Sequence, residues 1–126
     1  MPVDDKQLIQ QTIQVYFDSM YCASKDKVNE AFHPSAMITG EFGGKFTEMT
    51  RDAFGDFVAS QQPSPKDKGE KARLEILNID IAGPTAVTRV RDDYLGFTFL
   101  DTLSLVKNGD QWSIYNKLYH IEGDAS

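Results

Sequence analysis

Asp101-Thr102-Leu103-Ser104-Leu105-Val106-Lys107, then Asn108-Gly109, then Asp110-Gln111-Trp112-Ser113-Ile114-Tyr115-Asn116-Lys117-Leu118-Tyr119-His120, is the stretch that decides the fold. Asn-Gly between two alternating apolar runs is the strongest short-range signal of a β-hairpin. A two-residue loop there pairs Lys107 with Asp110. It predicts Leu105 against Trp112, Leu103 against Ile114, Asp101 against Asn116, Phe99 against Leu118 and Phe97 against His120, all on one face. Thr98, Leu100, Thr102, Ser104 and Val106, with Ser113, Tyr115, Lys117, Tyr119 and Ile121, then form the other, more mixed face. The same reasoning at Leu95-Gly96 sets Val90 on the second flank of Asp101. A carboxylate in mid-sheet loses water, so its ionised form is disfavoured unless Asn116, a tyrosine or a ligand donates to it. Asp101 and Asn116 either bond each other as a core pair or face a ligand. Both readings require burial.

Outward from this hairpin, Ala82-Gly83-Pro84 and Leu95-Gly96 mark further turns and divide the second half into four β segments, about 72–82, 84–94, 97–107 and 110–121. The first half is mainly helical. Ile9, Thr12, Ile13, Tyr16, Phe17, Met20 and Tyr21 recur at spacings of three and four, with Asp4 and Gln7 placed as an acidic capping box. A second, short helix follows Ser24 and stops near His33, because Pro34 disfavours helical geometry in the residue before it. Met37-Ile38-Thr39 to Thr47 reads as a small hairpin around Gly43-Gly44, and Thr50 caps a third helix carrying Ala53, Phe54, Phe57 and Val58. Residues 61–71 are polar, hold two prolines and read as a mobile surface loop. The order predicts one α+β domain over residues 1–126: a curved antiparallel sheet wrapped around three helices from the N-terminal half.

Composition narrows the function. At 126 residues, 40% hydrophobic and 25% charged, there is material for one core. A net charge of −6 repels a phosphate backbone, which argues against nucleic acid as a partner. One cysteine, Cys22, excludes an internal disulfide, and with two histidines it makes no zinc site of Cys/His type. No metal and no cofactor is expected. Neither a membrane span nor an export signal is read, so a cytoplasmic setting is expected.

The polar interruption of the Asp101 face points to a pocket. Tyr16 lies in the inward stripe of the first helix and brings a hydroxyl over Asp101 and Asn116; as a core tyrosine it would instead reach a backbone carbonyl. Asp101, Tyr16 and His120 are the candidate catalytic groups. Asn116, Trp112, Tyr94, Phe99 and His33 join them as candidate ligand contacts. Lys117 falls on the opposite face by strict alternation, so a functional reading of it requires a bulge or a dimer partner. Gly40, Gly43 and Gly44 lack the Gly-Lys-Ser/Thr of a phosphate loop, and no Gly-x-Ser-x-Gly element is present.

Taken together, Tyr16-Phe17-Asp18, Ala31-Phe32-His33-Pro34-Ser35-Ala36, Thr50-Arg51-Asp52-Ala53-Phe54 and the 101–120 hairpin resemble the nuclear transport factor 2-like superfamily, nearest to its putative lumazine-binding branch. The resemblance spans nearly the whole chain. It implies a cone-shaped α+β fold, commonly dimerising through the outer sheet face, here with Tyr115, Tyr119, Leu100 and Val106 as anchors. The superfamily includes ketosteroid isomerase, scytalone dehydratase, limonene epoxide hydrolase and polyketide cyclases beside non-catalytic members. Isomerase-like members place a tyrosine on the first helix and a neutral Asp on a central strand as oxyanion donors, roles that Tyr16 and Asp101 match. Their general-base Asp would fall around Ala36–Gly40, where this chain reads Ala-Met-Ile-Thr-Gly, with Glu41 shifted.

The leading expectation is a homodimeric small-molecule-binding protein with an apolar cone and a polar floor of Asp101, Asn116 and Tyr16, taking a small apolar or aromatic compound. Two alternatives stay open. One is a metal-independent isomerase, dehydratase or cyclase using the same pocket; the other is a dimerisation scaffold whose cone is filled by side chains.

Overall fold

The computed structural model describes residues 4–125. Helix α1 (Asp5–Tyr21) starts where the sequence marks it: the Asp4 carboxylate accepts from the Gln7 amide and the Gln7 side chain returns to the Asp4 amide. Helix α2 (Lys25–Ala31) is capped by Ser24, and α3 (Arg51–Ala59) by Thr50. The strands are β1 (Phe32–Phe42), β2 (Lys45–Thr50), β3 (Leu74–Ala82), β4 (Thr85–Tyr94), β5 (Phe97–Asn108) and β6 (Gln111–Asp124). They form one six-stranded sheet in the order β2-β1-β6-β5-β4-β3. The α+β class is as expected. The sheet is mixed rather than wholly antiparallel, because β1 lies parallel to β6. β1 also starts directly after α2, at Phe32, rather than at Ala36.

The inner face carries the core: Ile9, Ile13, Tyr16, Phe17 and Met20 of α1 pack on Val90, Leu103, Leu105 and Ile114. The Gly43-Gly44 loop has φ of +61° and +78° at its two positions, the pair of positive values that a type I′ hairpin requires. Segment 61–71 forms neither helix nor strand. It is tied to the end of α1: the Lys66 amide donates to Tyr21 O at 3.0 Å, and the Tyr21 hydroxyl donates to Glu70 O at 2.7 Å. Among the described residues no helix is long and apolar enough to cross a membrane.

The β5–β6 register corrects the sequence reading. The loop is centred on Gly109-Asp110, so Asn108 opposes Gln111, Lys107 opposes Trp112 and Leu105 opposes Ile114. That slip of two preserves which side chains face inward. At Tyr115 an extra residue enters β6, and beyond it Ser104 opposes Asn116, Leu103 opposes Lys117 and Asp101 opposes Tyr119. A bulge of one residue exchanges the two faces of everything that follows it. Lys117 and Tyr119 therefore turn inward, while Leu118 and His120 turn out to solvent. Across β4–β5 the expected pairing of Val90 with Asp101 is present.

Candidate functional site

Two polar groupings lie inside the cone. The deeper one is built by α1, β4 and β5. The Tyr16 hydroxyl donates to Asp101 Oδ2 at 2.7 Å, and its oxygen lies 3.4 Å from Asp92 Oδ2. Asp101 is 0% exposed and Asp92 is 1% exposed. The two carboxyls also hydrogen bond each other; burial first, then the charge of Asp101, pushes Asp92 well above the usual carboxylate range, against an opposing pull from Lys117. Two adjoining buried carboxyls cannot both ionise, so the pair retains a proton. Burial, together with the charges of Asp101 and Asp92, raises the Tyr16 hydroxyl far above its ordinary value and keeps it a donor.

Above this layer is a hollow of about 210 Å3 lined by Ile38, Phe42, Thr47, Met49, Phe54, Phe57, Tyr94, Leu95, Phe99, Lys117 and Tyr119. Its walls are almost wholly apolar. Lys117 is the exception: the residue is 5% exposed, and its Nζ sits 4.8 Å from the ring centres of both Tyr16 and Phe54 and 5.8 Å from that of Tyr119. Ring faces are electron-rich, and three of them around one ammonium offset part of the hydration it loses. Among the described residues no ion pair includes Lys117. The Thr47 and Tyr119 hydroxyls bond each other on the same wall. Gly40, opposite Tyr119 in the sheet, makes room for that ring: a Cβ there would meet the Tyr119 carbonyl at 2.6 Å and the ring at 2.7 Å. The Tyr94 hydroxyl is buried without a partner among the described residues, and burial, then Asp92, raises it well above its ordinary value.

The structure brings Tyr16 and Asp101 together as the sequence suggests, but beneath the hollow's wall rather than on its floor. Asn116 is displaced from Asp101 by the Tyr115 bulge, and its Oδ1 is buried with no partner among the described residues. Tyr94 and Phe99 do line the hollow. Trp112 does not: its indole N–H donates to Asp5 Oδ1 at 3.1 Å and its carbonyl accepts from Thr12 at 3.2 Å, pinning the start of β6 to α1. His33 packs against Tyr115 at 5.1 Å, with Nδ1 accepting from the Ser35 amide. His120, expected on the Asp101 face, is exposed beside Phe42, Phe97 and Ile121 because of the face exchange. Tyr119, expected as an outer-face anchor, is an inner-face residue for the same reason. Sequence reasoning misses Asp92, although Ala86, Thr88, Val90, Asp92 and Tyr94 alternate inward along β4.

The chain resembles known proteins over nearly its whole length. A family model described as "Putative lumazine-binding" matches residues 4–120. A protein named aldolase FrzH, from Cladobotryum sp, is 27% identical over 109 residues, spanning 86% of this chain and 85% of that protein. A crystal structure of a nuclear transport factor 2-like protein of unknown function from Methylobacillus flagellatus KT superposes with a TM-score of 0.83 at 29% identity, covering 98% of this chain and 96% of that one. Another of unknown function, from Shewanella baltica OS155, gives 0.81 at 26% identity, covering 98% of this chain and all of that one, 100%. With a cone of three helices on a six-stranded sheet and a family match along its length, this chain belongs to the putative lumazine-binding family of the nuclear transport factor 2-like superfamily.

Proposed function

We propose that the chain is a small-molecule-binding protein whose hollow takes a compact, mainly apolar compound carrying one carbonyl or anionic oxygen. The observation that carries this reading is Lys117, one cation on a wall otherwise built of rings and aliphatic groups. An apolar concavity with a single placed polar group fixes both the affinity and the orientation of a ligand. Size limits the ligand further. A hollow of about 210 Å3 exceeds the ~150 Å3 cavity that accepts benzene and falls below the ~300 Å3 at which drug-sized pockets begin. One aromatic ring or a short chain fits that volume. The site is read as acting in the cytoplasm, where Cys22 stays a free thiol.

Thermal-shift screening with aromatic acids, cyclic ketones, pterins and flavins tests this. A ligand present at a hundred times its dissociation constant stabilises the fold by about 2.7 kcal/mol. Oxygen-bearing one-ring compounds are expected to give the shift and to lose it in Lys117→Met. Absence of any shift across the panel would remove the reading.

A second reading is a metal-independent enzyme of isomerase, dehydratase or cyclase kind in the same hollow. Two observations favour it: the Tyr16–Asp101–Asp92 unit holding a proton next to the wall, and a relative of 27% identity that is named an aldolase. Such an enzyme would labilise hydrogens on the carbon beside a carbonyl. NMR in deuterium oxide reads that exchange directly on any compound that binds, and ligands that bind without exchange leave the binding protein alone. A second copy of the chain is proposed to cover the outer sheet face, where Tyr115, Leu118 and Val87 are exposed. Light scattering then reads about twice 14.2 kDa.

A further inference from the structure

We infer that Lys117 is a nucleophile that condenses with a ligand carbonyl to form an iminium, making the hollow a site for covalent carbonyl capture; this rests on the reading of the hollow as a small-molecule site. The geometry supplies each requirement of that chemistry. The nitrogen is on the wall of the hollow, on a residue that is itself buried, so its position is set by packing rather than by solvent. Its neighbours are the faces of Tyr16, Phe54 and Tyr119, and among the described residues no carboxylate holds it in an ion pair. Lysines enclosed in this way are the ones that serve as amine nucleophiles toward carbonyl carbon. Phe42, 39% exposed, stands at the rim, so reactant and water exchange through the same mouth.

The step balances without a co-reactant. The amine lone pair forms the C–N bond as the carbonyl π pair moves to oxygen. Two protons from the original ammonium end on that oxygen, which leaves as water when the C–O bond breaks. The C=N bond that remains carries the positive charge the ammonium brought. The bonded Thr47 and Tyr119 hydroxyls stand on the same wall as Lys117 and give the departing oxygen a proton path. The proton held by Asp92 and Asp101 lies behind Lys117, and the charge of Lys117 already acts on Asp92, so the two layers are electrostatically linked.

The test uses the whole chain with benzaldehyde and cyanoborohydride, and separately with 2,4-pentanedione, which lysine converts to an ultraviolet-absorbing enaminone. Intact-mass spectra and peptide mapping are expected to place the reduced adduct on Lys117 ahead of the exposed lysines. Lys117→Met and Lys117→Arg are both expected to abolish that adduct, with the arginine variant keeping the charge and the fold. Thermal shifts from the same probes are recorded in parallel. A probe that stabilises the protein while adducts form only on exposed lysines overturns the nucleophile and leaves the binding site standing. Adducts on Lys117 that appear equally after urea unfolding overturn it as well, since the fold would then contribute nothing. No thermal shift and no adduct removes both readings together.

Discussion

The sealed layer at Tyr16, Asp101 and Asp92 and the open hollow at Lys117 occupy adjoining parts of one inner face, yet they treat polarity in opposite ways. In the sealed layer each group finds a partner within the protein: a hydroxyl donates to a carboxylate at 2.7 Å, and two carboxyls share a proton. In the hollow the ammonium meets ring faces and open volume instead. Buried polar groups that are mutually satisfied rigidify a core, whereas one left facing open space is available to a ligand. The difference separates what holds this cone together from what the cone can act upon.

The largest expected effect breaks the sealed layer. Tyr16→Phe deletes the hydroxyl that donates to Asp101 and leaves a carboxyl oxygen unsatisfied in the core. That loss is expected to be about 1–3 kcal/mol in urea unfolding, with ligand affinity preserved once the variant is folded. Lys117→Met reverses the pattern. Exchanging an unpaired buried cation for an apolar chain of similar length leaves stability equal or higher, while affinity for an oxygen-bearing ligand falls about tenfold, or ~1.4 kcal/mol. If both variants lowered stability and spared binding, the two regions would be one structural unit.

The pH dependence sharpens the same contrast. Asp92 has its pKa raised by burial and by Asp101, so the folded chain keeps a proton that the unfolded chain has released. Stability from this group is full below the ordinary carboxylate value near ~4 and is lost as pH rises through the folded-state value. One proton limits the slope to about 1.4 kcal/mol per pH unit. The exposed carboxylates Asp5, Asp52 and Glu122 are lowered by hydrogen bonds to Lys107, Lys25 and Arg91, and they lose their contribution as pH falls through their folded-state values. Urea midpoints from about pH 4 to about pH 8 should therefore decline in the parent chain and flatten in Asp92→Asn. A midpoint that climbs across that range would mean that the pair holds no proton.

Much of this cone is legible in the sequence because local signals agree. Asp4 with Gln7, Ser24 and Thr50 mark three helix starts, and Leu95-Gly96 sets the pairing of Val90 with Asp101. Tyr16 above Asp101 follows from helical spacing and strand alternation together. Lys117 is not legible. Its orientation depends on the extra residue at Tyr115, and a bulge leaves no mark in a run of alternating residues, so strict counting assigns every later side chain to the wrong face. His120 and Tyr119 are exchanged by that same residue. Asp92 sits in Arg91-Asp92-Asp93, which reads as solvated charge, although the alternation from Ala86 to Tyr94 carries it inward. The parallel pairing of β1 with β6 joins segments distant in the chain, and no local signal specifies such a pairing.

The smallest effect tests what fixes the wall of the hollow. Thr47 bonds the Tyr119 hydroxyl and donates to Gly40 O at 3.2 Å, so Thr47→Val removes both bonds while keeping the shape of the side chain. A stability loss of about 0.5–1.5 kcal/mol is expected. The Tyr119 ring should stay in place nonetheless, because it packs across Gly40 and against Phe99 at 5.9 Å. Ligand affinity should then change by no more than about twofold to threefold, or ~0.5 kcal/mol, well short of the effect of Lys117→Met. A calorimetric titration that instead showed the two substitutions to be equally damaging would assign the ligand's oxygen to the Thr47–Tyr119 hydroxyls, and Lys117 would become a wall residue rather than the group the ligand seeks.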